Sequence, residues 1–236
     1  WPEKHEISIA DSFLSWGWKK KNNRKIKRFF ILKNLSNTNL KKENLLIPLR
    51  ARKRYFHSLE SSSGTETYSS YINHINSLLE NLEKSVIKKT ILRLPYNSLK
   101  IQDIDFFANL EKNYNFYNKE SFEKACNKAK LIVHTSNSTT FLETISLNFP
   151  TILLINKYNS PVRFDCKKTF EILYDNNIVF YDTISASKFI NSIWDTKITS
   201  WWKNNKTQKA VNMFCDNYAR KDNKIVDRCF SFLKKL

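Results

Sequence analysis

Between Leu45 and Trp194 short apolar runs alternate with amphipathic stretches, and this alternation constrains the fold more than any other feature of the 236 residues. LLIPL at 45–49, Thr90 to Leu94, YNFYN at 114–118, Leu131 to His134, Thr151 to Ile155 and Ile178 to Tyr181 read as strands. Helical patterns separate them: Tyr68 to Leu82, Ile101 to Glu111, a helix capped by Ser121 and running to Ala129, Thr139 to Leu147, Phe164 to Tyr174, and Ser185 to Trp194. Strands that are apolar nearly throughout must be covered on both faces, which is the condition of a parallel sheet between two helical layers. The fold expected is α/β, a Rossmann-like doubly wound parallel sheet over 45–198. Residues 1–44 read as the end of a preceding domain and an interdomain crossing, with a strand at Arg28 to Leu32. Residues 199–236 read as helices packing at the domain junction, rich in aromatics such as Trp201, Trp202, Phe214 and Phe230. Pro48 and Pro95 lie near strand ends and Pro150 opens a strand, where a missing amide does little harm.

Gly17 and Gly64 are the only glycines in the chain, so it contains neither a Walker loop nor a GxGxxG fingerprint. Any phosphate must be held in another way. The formal charge of +18, from 40 Lys and Arg against 22 acids, favours phosphorylated ligands, anionic lipid or nucleic acid. The basic runs Lys19 to Arg28 and Arg50 to Arg54 sit in separate contexts, without the concentrated bases and exposed aromatics of a nucleic-acid module. A non-catalytic or nucleic-acid-associated basic binding module remains the alternative class. Cys126, Cys166, Cys215 and Cys229 are too widely spaced for a CxxC motif and read as buried free thiols. His5, His57, His74 and His134 have no metal-ligand spacing, so no bound metal and no cofactor are expected. No run approaches the roughly 18 apolar residues of a membrane span, which makes a cytoplasmic location the default.

The segment LIVHTSNSTTFLE carries the chemistry. In an open parallel sheet ligands bind beyond the carboxyl ends of strands, where loops lead into helix amino termini. Here the strand ends at His134, and Thr135 to Thr140 supply six small or polar residues that can leave backbone N–H groups free at the helix start. Such a terminus attracts anions through its unpaired donors and its dipole, so a diphosphate fits there. The hydroxyls of Ser138, Thr139 and Thr140 add donors, and Glu143, one turn on, is placed to accept from ribose or sugar hydroxyls. The plain alternative is that these Ser and Thr only cap the helix.

The Ser/Thr-rich turn running into TTFLE, then NFPT and an apolar strand, resembles the donor-binding segment of GT-B glycosyltransferases. With EKHEISIADSFLSWGW before it and IWD and SWW after it, the pattern is similar to a family of bacterial transferases associated with surface-polysaccharide and nonulosonic-acid gene clusters. The resemblance covers nearly the whole chain and implies the carboxy-terminal, nucleotide-sugar-binding domain of a GT-B enzyme. It implies too that a glycine-rich HGGG-type motif lies upstream of the EKHE region, as the opening WPEKHE without a methionine also suggests. The implied activity is transfer of a sugar from a nucleotide donor to a surface glycan or glycolipid precursor, with peripheral contact to an anionic membrane at its inner face. An epimerase related to the same fold is a further possibility.

Enzymes of this type typically work without a bound divalent metal, so cationic side chains and helix termini stabilise the departing phosphate. Arg50, Arg52, Lys53 and Arg54 follow LLIPL at its carboxyl end. Arg50 and Arg52, nearest the strand, are the preferred phosphate ligands, against the alternative of a solvated basic loop. Arg93, in ILRLP, is costly to bury alone and must reach a phosphate or an acid. His134 is a candidate contact to base or sugar, or a satisfied structural residue. His5 and Glu6, near the expected interdomain cleft, are candidates for the general base that takes the acceptor proton. Trp16, Trp18, Trp194, Trp201 and Trp202 read as packing residues, with stacking on a ligand ring as the alternative.

Overall fold

The computed structural model describes residues 2–32, 42–50, 65–94, 115–116, 120–156 and 162–234. Six strands form one sheet: β3 (Asn44–Pro48), β4 (Thr90–Arg93), β5 (Asn115–Phe116), β6 (Ala129–His134), β7 (Thr151–Leu154) and β8 (Val179–Phe180). All neighbours pair in parallel, in the order β5-β4-β3-β6-β7-β8. Counted from β3 this is the 3-2-1-4-5-6 order of a Rossmann sheet. The sequence direction reverses between β3 and β6, and the crevice at their carboxyl ends is the topological switch point. The helix expected at Ile101 to Glu111 lies outside the described residues.

Both faces of the sheet are covered, as its apolar strands require. Leu45, Ile47, Leu131, Val133, Ile152 and Leu154 pack on one side with α2 (Thr65–Glu80), α3 (Lys84–Ile87) and α7 (Thr183–Ile193). Their neighbours point the other way, because side chains alternate along a strand. Leu46 and Ile132 meet α4 (Phe122–Lys128), while Leu153 and Val179 meet α5 (Thr139–Ser146), α6 (Lys167–Asp175) and α9 (Asn205–Tyr218). Local chemistry sets several helix starts. The Ser121 hydroxyl accepts from the Lys124 amide at the head of α4, and Asp182 accepts from the Ser185 amide at the head of α7.

The glycine shortage is met by asparagine. Asn148 after α5 and Asn177 after α6 adopt φ of 60° and 58°, the left-handed turn that ends a helix and is usually given to glycine. Each turn is held by a neighbouring tryptophan on α8 (Ile198–Lys203). The Trp201 indole donates to the Asn176 carbonyl at 3.1 Å, and the Trp202 indole donates to the Asn148 carbonyl at 2.9 Å. The SWW string thus fixes the two turns that feed β7 and β8.

The amino-terminal segment differs from expectation. The strand anticipated at Arg28 to Leu32 is β2 (Ile26–Arg28), paired in parallel with β1 (Phe13–Ser15) in a separate two-stranded sheet after α1 (Pro2–Ile9). This segment is laced to the end of α9. The Arg220 amide donates to the Trp16 carbonyl at 2.9 Å and the Ile31 amide to the Arg220 carbonyl at 2.8 Å. Arg28 donates through Nε to the Gly17 carbonyl and through Nη2 to the Asp216 carbonyl, each at 2.6 Å. The helical tail is not one element: Asn204, whose side chain accepts from the Lys206 amide, separates α8 from α9, and α10 (Ile225–Leu233) follows. Among the described residues no helix is long and apolar enough to cross a membrane.

Gly17 sits at the tightest point of this lacing. Its φ is +138°, and a Cβ there would lie 2.5 Å from the Asp216 carbonyl oxygen. Gly17→Ala is expected to lower stability by about 1–3 kcal/mol, the usual cost of such strain, measured as a drop in thermal midpoint. An unchanged midpoint would show that the segment is not held against α9 at this point.

Candidate functional site

Three side-chain bonds tie β3 to β6 at the switch point. The Arg50 amide donates to the Tyr71 phenol oxygen at 2.8 Å, Tyr71 and Thr135 share a hydrogen bond of 2.8 Å, and the Thr135 hydroxyl donates to the Pro48 carbonyl at 3.1 Å. Each hydroxyl has one proton, so Thr135 spends its own on Pro48 and Tyr71 donates to Thr135. Burial pushes the Tyr71 phenol above its ordinary pKa, which keeps that proton in place. The half-buried Arg50 guanidinium lies over the Tyr71 ring, 5.8 Å from its centroid.

A second chain of bonds shapes the start of α5. His134 Nε2 lies 2.8 Å from the Thr144 hydroxyl, which donates onward to the Phe141 carbonyl at 3.1 Å, so the imidazole carries its proton on Nε2. Nδ1 is then an acceptor, and Thr140 Oγ1 lies 3.5 Å from it. The Ser138 and Thr140 hydroxyls are 2.8 Å apart, which makes Ser138 the donor to Thr140. Ser138 is the residue before the helix, with φ −119° and ψ 170°, yet its side chain caps no amide. The Phe141 and Leu142 amides reach the Ser138 carbonyl, whereas the Thr139 and Thr140 amides have no acceptor among the described residues. Two first-turn donors are therefore left for a ligand.

The sequence-derived candidates separate on this frame. Thr139 is exposed and Thr140 and Ser138 are half-buried at the helix start, with Arg50 across the switch point. His134 is 1% exposed, and its ring meets Phe141 and Phe122 edge-on. It orients Thr140 rather than opening to a ligand. Glu143 is also buried, at 6%, rather than projecting into solvent. Arg93 donates to the Glu120 carbonyl at 3.2 Å and lies 5.6 Å from the Phe122 ring centroid, and burial lowers its pKa; among the described residues it pairs with no acid. His5 and Glu6 are exposed on α1. Arg52, Lys53 and Arg54 lie outside the described residues. Of the free cysteines only Cys126 is buried; Cys166, Cys215 and Cys229 are half-buried, and burial pushes the Cys215 thiol up to about 12.

A cavity of about 630 Å³ opens beside α5, lined by Asn137 and Leu142 from its start and by Trp16, Trp18, Phe214 and Tyr218 among others. Its basic lining is largely engaged. Arg163 bridges Glu3 of α1 and Asp165, each at 2.5 Å, and Lys20 lies 3.5 Å from Glu3. The sequence does not point to Tyr71, and it marks Thr135 and Asn137 only as members of the loop Thr135 to Thr140. Tyr71 belongs to a helix far off in sequence, and only the strand order brings it to the switch point. Asn137 and Thr135 stood inside the flagged loop without a sign that set them apart.

The buried His134 has a measurable consequence. Burial lowers its pKa to about 3, while the unfolded chain keeps the ordinary value of about 6.5. Above pH 6.5 both states are neutral there; as pH falls toward 3 only the unfolded state takes up the proton, and stability is lost. The acid limb of a denaturation series between pH 6 and 4 should be shallower in His134→Gln than in wild type by about 1.4 kcal/mol per pH unit. Parallel limbs would mean that His134 is protonated in the folded protein.

Among solved structures the chain is similar to the wall teichoic acid polymerase TagF. One structure, soaked with CDPG for 30 minutes, matches at a TM-score of 0.47 and 14% identity over 97% of this chain and 57% of the other. A 15 minute soak matches at 0.46 and 11% identity over 99% and 61%, and a third TagF structure at 0.41 and 13% over 83% and 44%. The chain thus spans between 44% and 61% of the length of these polymerases, and at these values the likeness carries no functional assignment. None of the curated proteins matches the chain. The model of the LIC12162 family transferases matches residues 2–233, almost the whole sequence, and the chain belongs to that family of transferases.

Proposed function

We propose that the chain is the donor-binding part of a GT-B-type glycosyltransferase, which passes a sugar from a nucleotide donor to a surface glycan or glycolipid precursor. The observation that carries this reading is the uncapped start of α5 at the switch point, where the Ser138 hydroxyl is turned to Thr140 and the Thr139 and Thr140 amides remain available. The donor diphosphate takes these amides, and Arg50 and Arg52 balance the charge that grows on it as the glycosidic bond breaks. Arg93 backs the site from the end of β4. The cavity beside Asn137 offers Trp16 and Trp18 as faces for a sugar ring. His5 or Glu6 takes the proton of the acceptor hydroxyl as its oxygen bonds to the anomeric carbon. The reaction runs on the cytoplasmic side, at the inner face of the membrane that carries the acceptor precursor.

Isothermal titration with UDP, GDP, CMP and dTDP tests this. One nucleotide should bind in preference to the rest, and Thr140→Val and Arg52→Ala should each weaken it about tenfold, the worth of roughly 1.4 kcal/mol. Absence of binding to all four, or unaltered affinity in both variants, would remove the reading. Equal binding of arbitrary oligonucleotides with a steep loss in salt would favour a nucleic-acid module instead.

A further inference from the structure

The helix α10 carries two apolar stripes, and only one has a partner among the described residues. Ile225, Cys229 and Phe232 recur at the spacing of one helical face and are half-buried, and the Phe232 ring lies 5.8 Å from that of Phe29 in the amino-terminal segment. Val226, Phe230 and Leu233 recur at the same spacing about a quarter turn away, and they are 79%, 60% and 64% exposed. No residue of α10 is buried. A contiguous row of large exposed apolar side chains marks a contact surface, since water penalises it without return.

The charges around the stripe select its occupant. Lys221 and Lys224 precede the helix, and Lys234 closes it with its ammonium 4.6 Å from the centroid of the Phe230 ring. Arg228, on the far side of the helix from the stripe, and Asp222 neutralise each other at 3.4 Å, which leaves Asp227 as the remaining acid of this region. A second copy of the chain would bring the same lysines against one another on a molecule of formal charge +18. An anionic bilayer surface instead satisfies both features: the apolar row enters the headgroup boundary and the bases meet lipid phosphate. We infer that α10 is the membrane-contact surface of the protein, seated on anionic lipid through Val226, Phe230 and Leu233. The inference rests on the membrane-borne acceptor of the reading above but not on the donor site, since neither nucleotide nor α5 takes part in it.

Vesicle flotation of the 236-residue chain, without nucleotide, tests it. The wild type should float with phosphatidylcholine vesicles containing phosphatidylglycerol and stay down with phosphatidylcholine alone. Combined Val226→Ser, Phe230→Ser and Leu233→Ser should reduce the floated fraction at least about tenfold with an unchanged thermal midpoint, because the three side chains are exposed. Combined Lys224→Glu and Lys234→Glu should do so at low salt. The inference is overturned if the wild type ignores anionic vesicles, if the serine variant floats as well as wild type, or if light scattering finds a wild-type dimer that the serine variant dissolves. A protein that floats yet binds no nucleotide would separate failure of the donor site from failure of this surface.

Discussion

At the switch point the chain leaves β3 and β6 toward opposite faces of the sheet, and the opening between them must be held apart without being filled. The Tyr71 phenol holds it, accepting from the Arg50 amide and donating to Thr135, which in turn bonds the Pro48 carbonyl. The Tyr71–Thr135 bond is buried and the other two are partly so, and removing one partner of a buried pair costs more than the pair contributes in water. Because Thr135 is anchored in this way, the three residues after it are delivered to the start of α5 at a fixed height above the sheet. The position of the Thr139 and Thr140 amides, of Arg50 and of the neighbouring cavity all follow from that anchor.

A second network, built on His134, decides what the helix start presents. Serine before a helix ordinarily closes it by accepting from an amide of the first turn. Here neutral His134 accepts from Thr140, Thr140 accepts from Ser138, and the serine oxygen is drawn away from the amides. One buried imidazole thus keeps open the Thr140 amide, which a common cap can take, beside the Thr139 amide that such a cap does not reach. The consequence is chemical rather than structural, since α5 packs through Phe141 and Ile145 whatever its first turn bonds to.

Much of the fold was legible because burial on both faces leaves apolar runs that few other architectures need. The strands at Leu45, Thr90, Leu131, Thr151 and Ile178 are where the pattern places them, and Ser121 caps its helix as expected. The amino-terminal strand was misplaced by a few residues because β2 belongs to a separate two-stranded sheet, whose pairing with β1 leaves no apolar run. The tail concealed its breaks for a related reason: Asn204 and the two tryptophans act through hydrogen bonds to distant turns, which periodicity does not register. The site was legible as a segment and not as a set of roles. Spacing showed that Thr135 to Glu143 span a strand end and a helix start, but His134 and Glu143 turned out to lie inside the protein, where composition gives no direction. Tyr71 could be found only once the strand order was known.

The account stands on the α5 amides as the seat of the donor diphosphate, and an amide-resolved nuclear magnetic resonance titration with the preferred nucleoside diphosphate addresses them directly. The largest shifts should fall on the Thr139 and Thr140 amides, with smaller ones at Asn137 and Arg50. A titration that saturates while those two amides stay in place, with its shifts gathered elsewhere in the protein, would contradict the account.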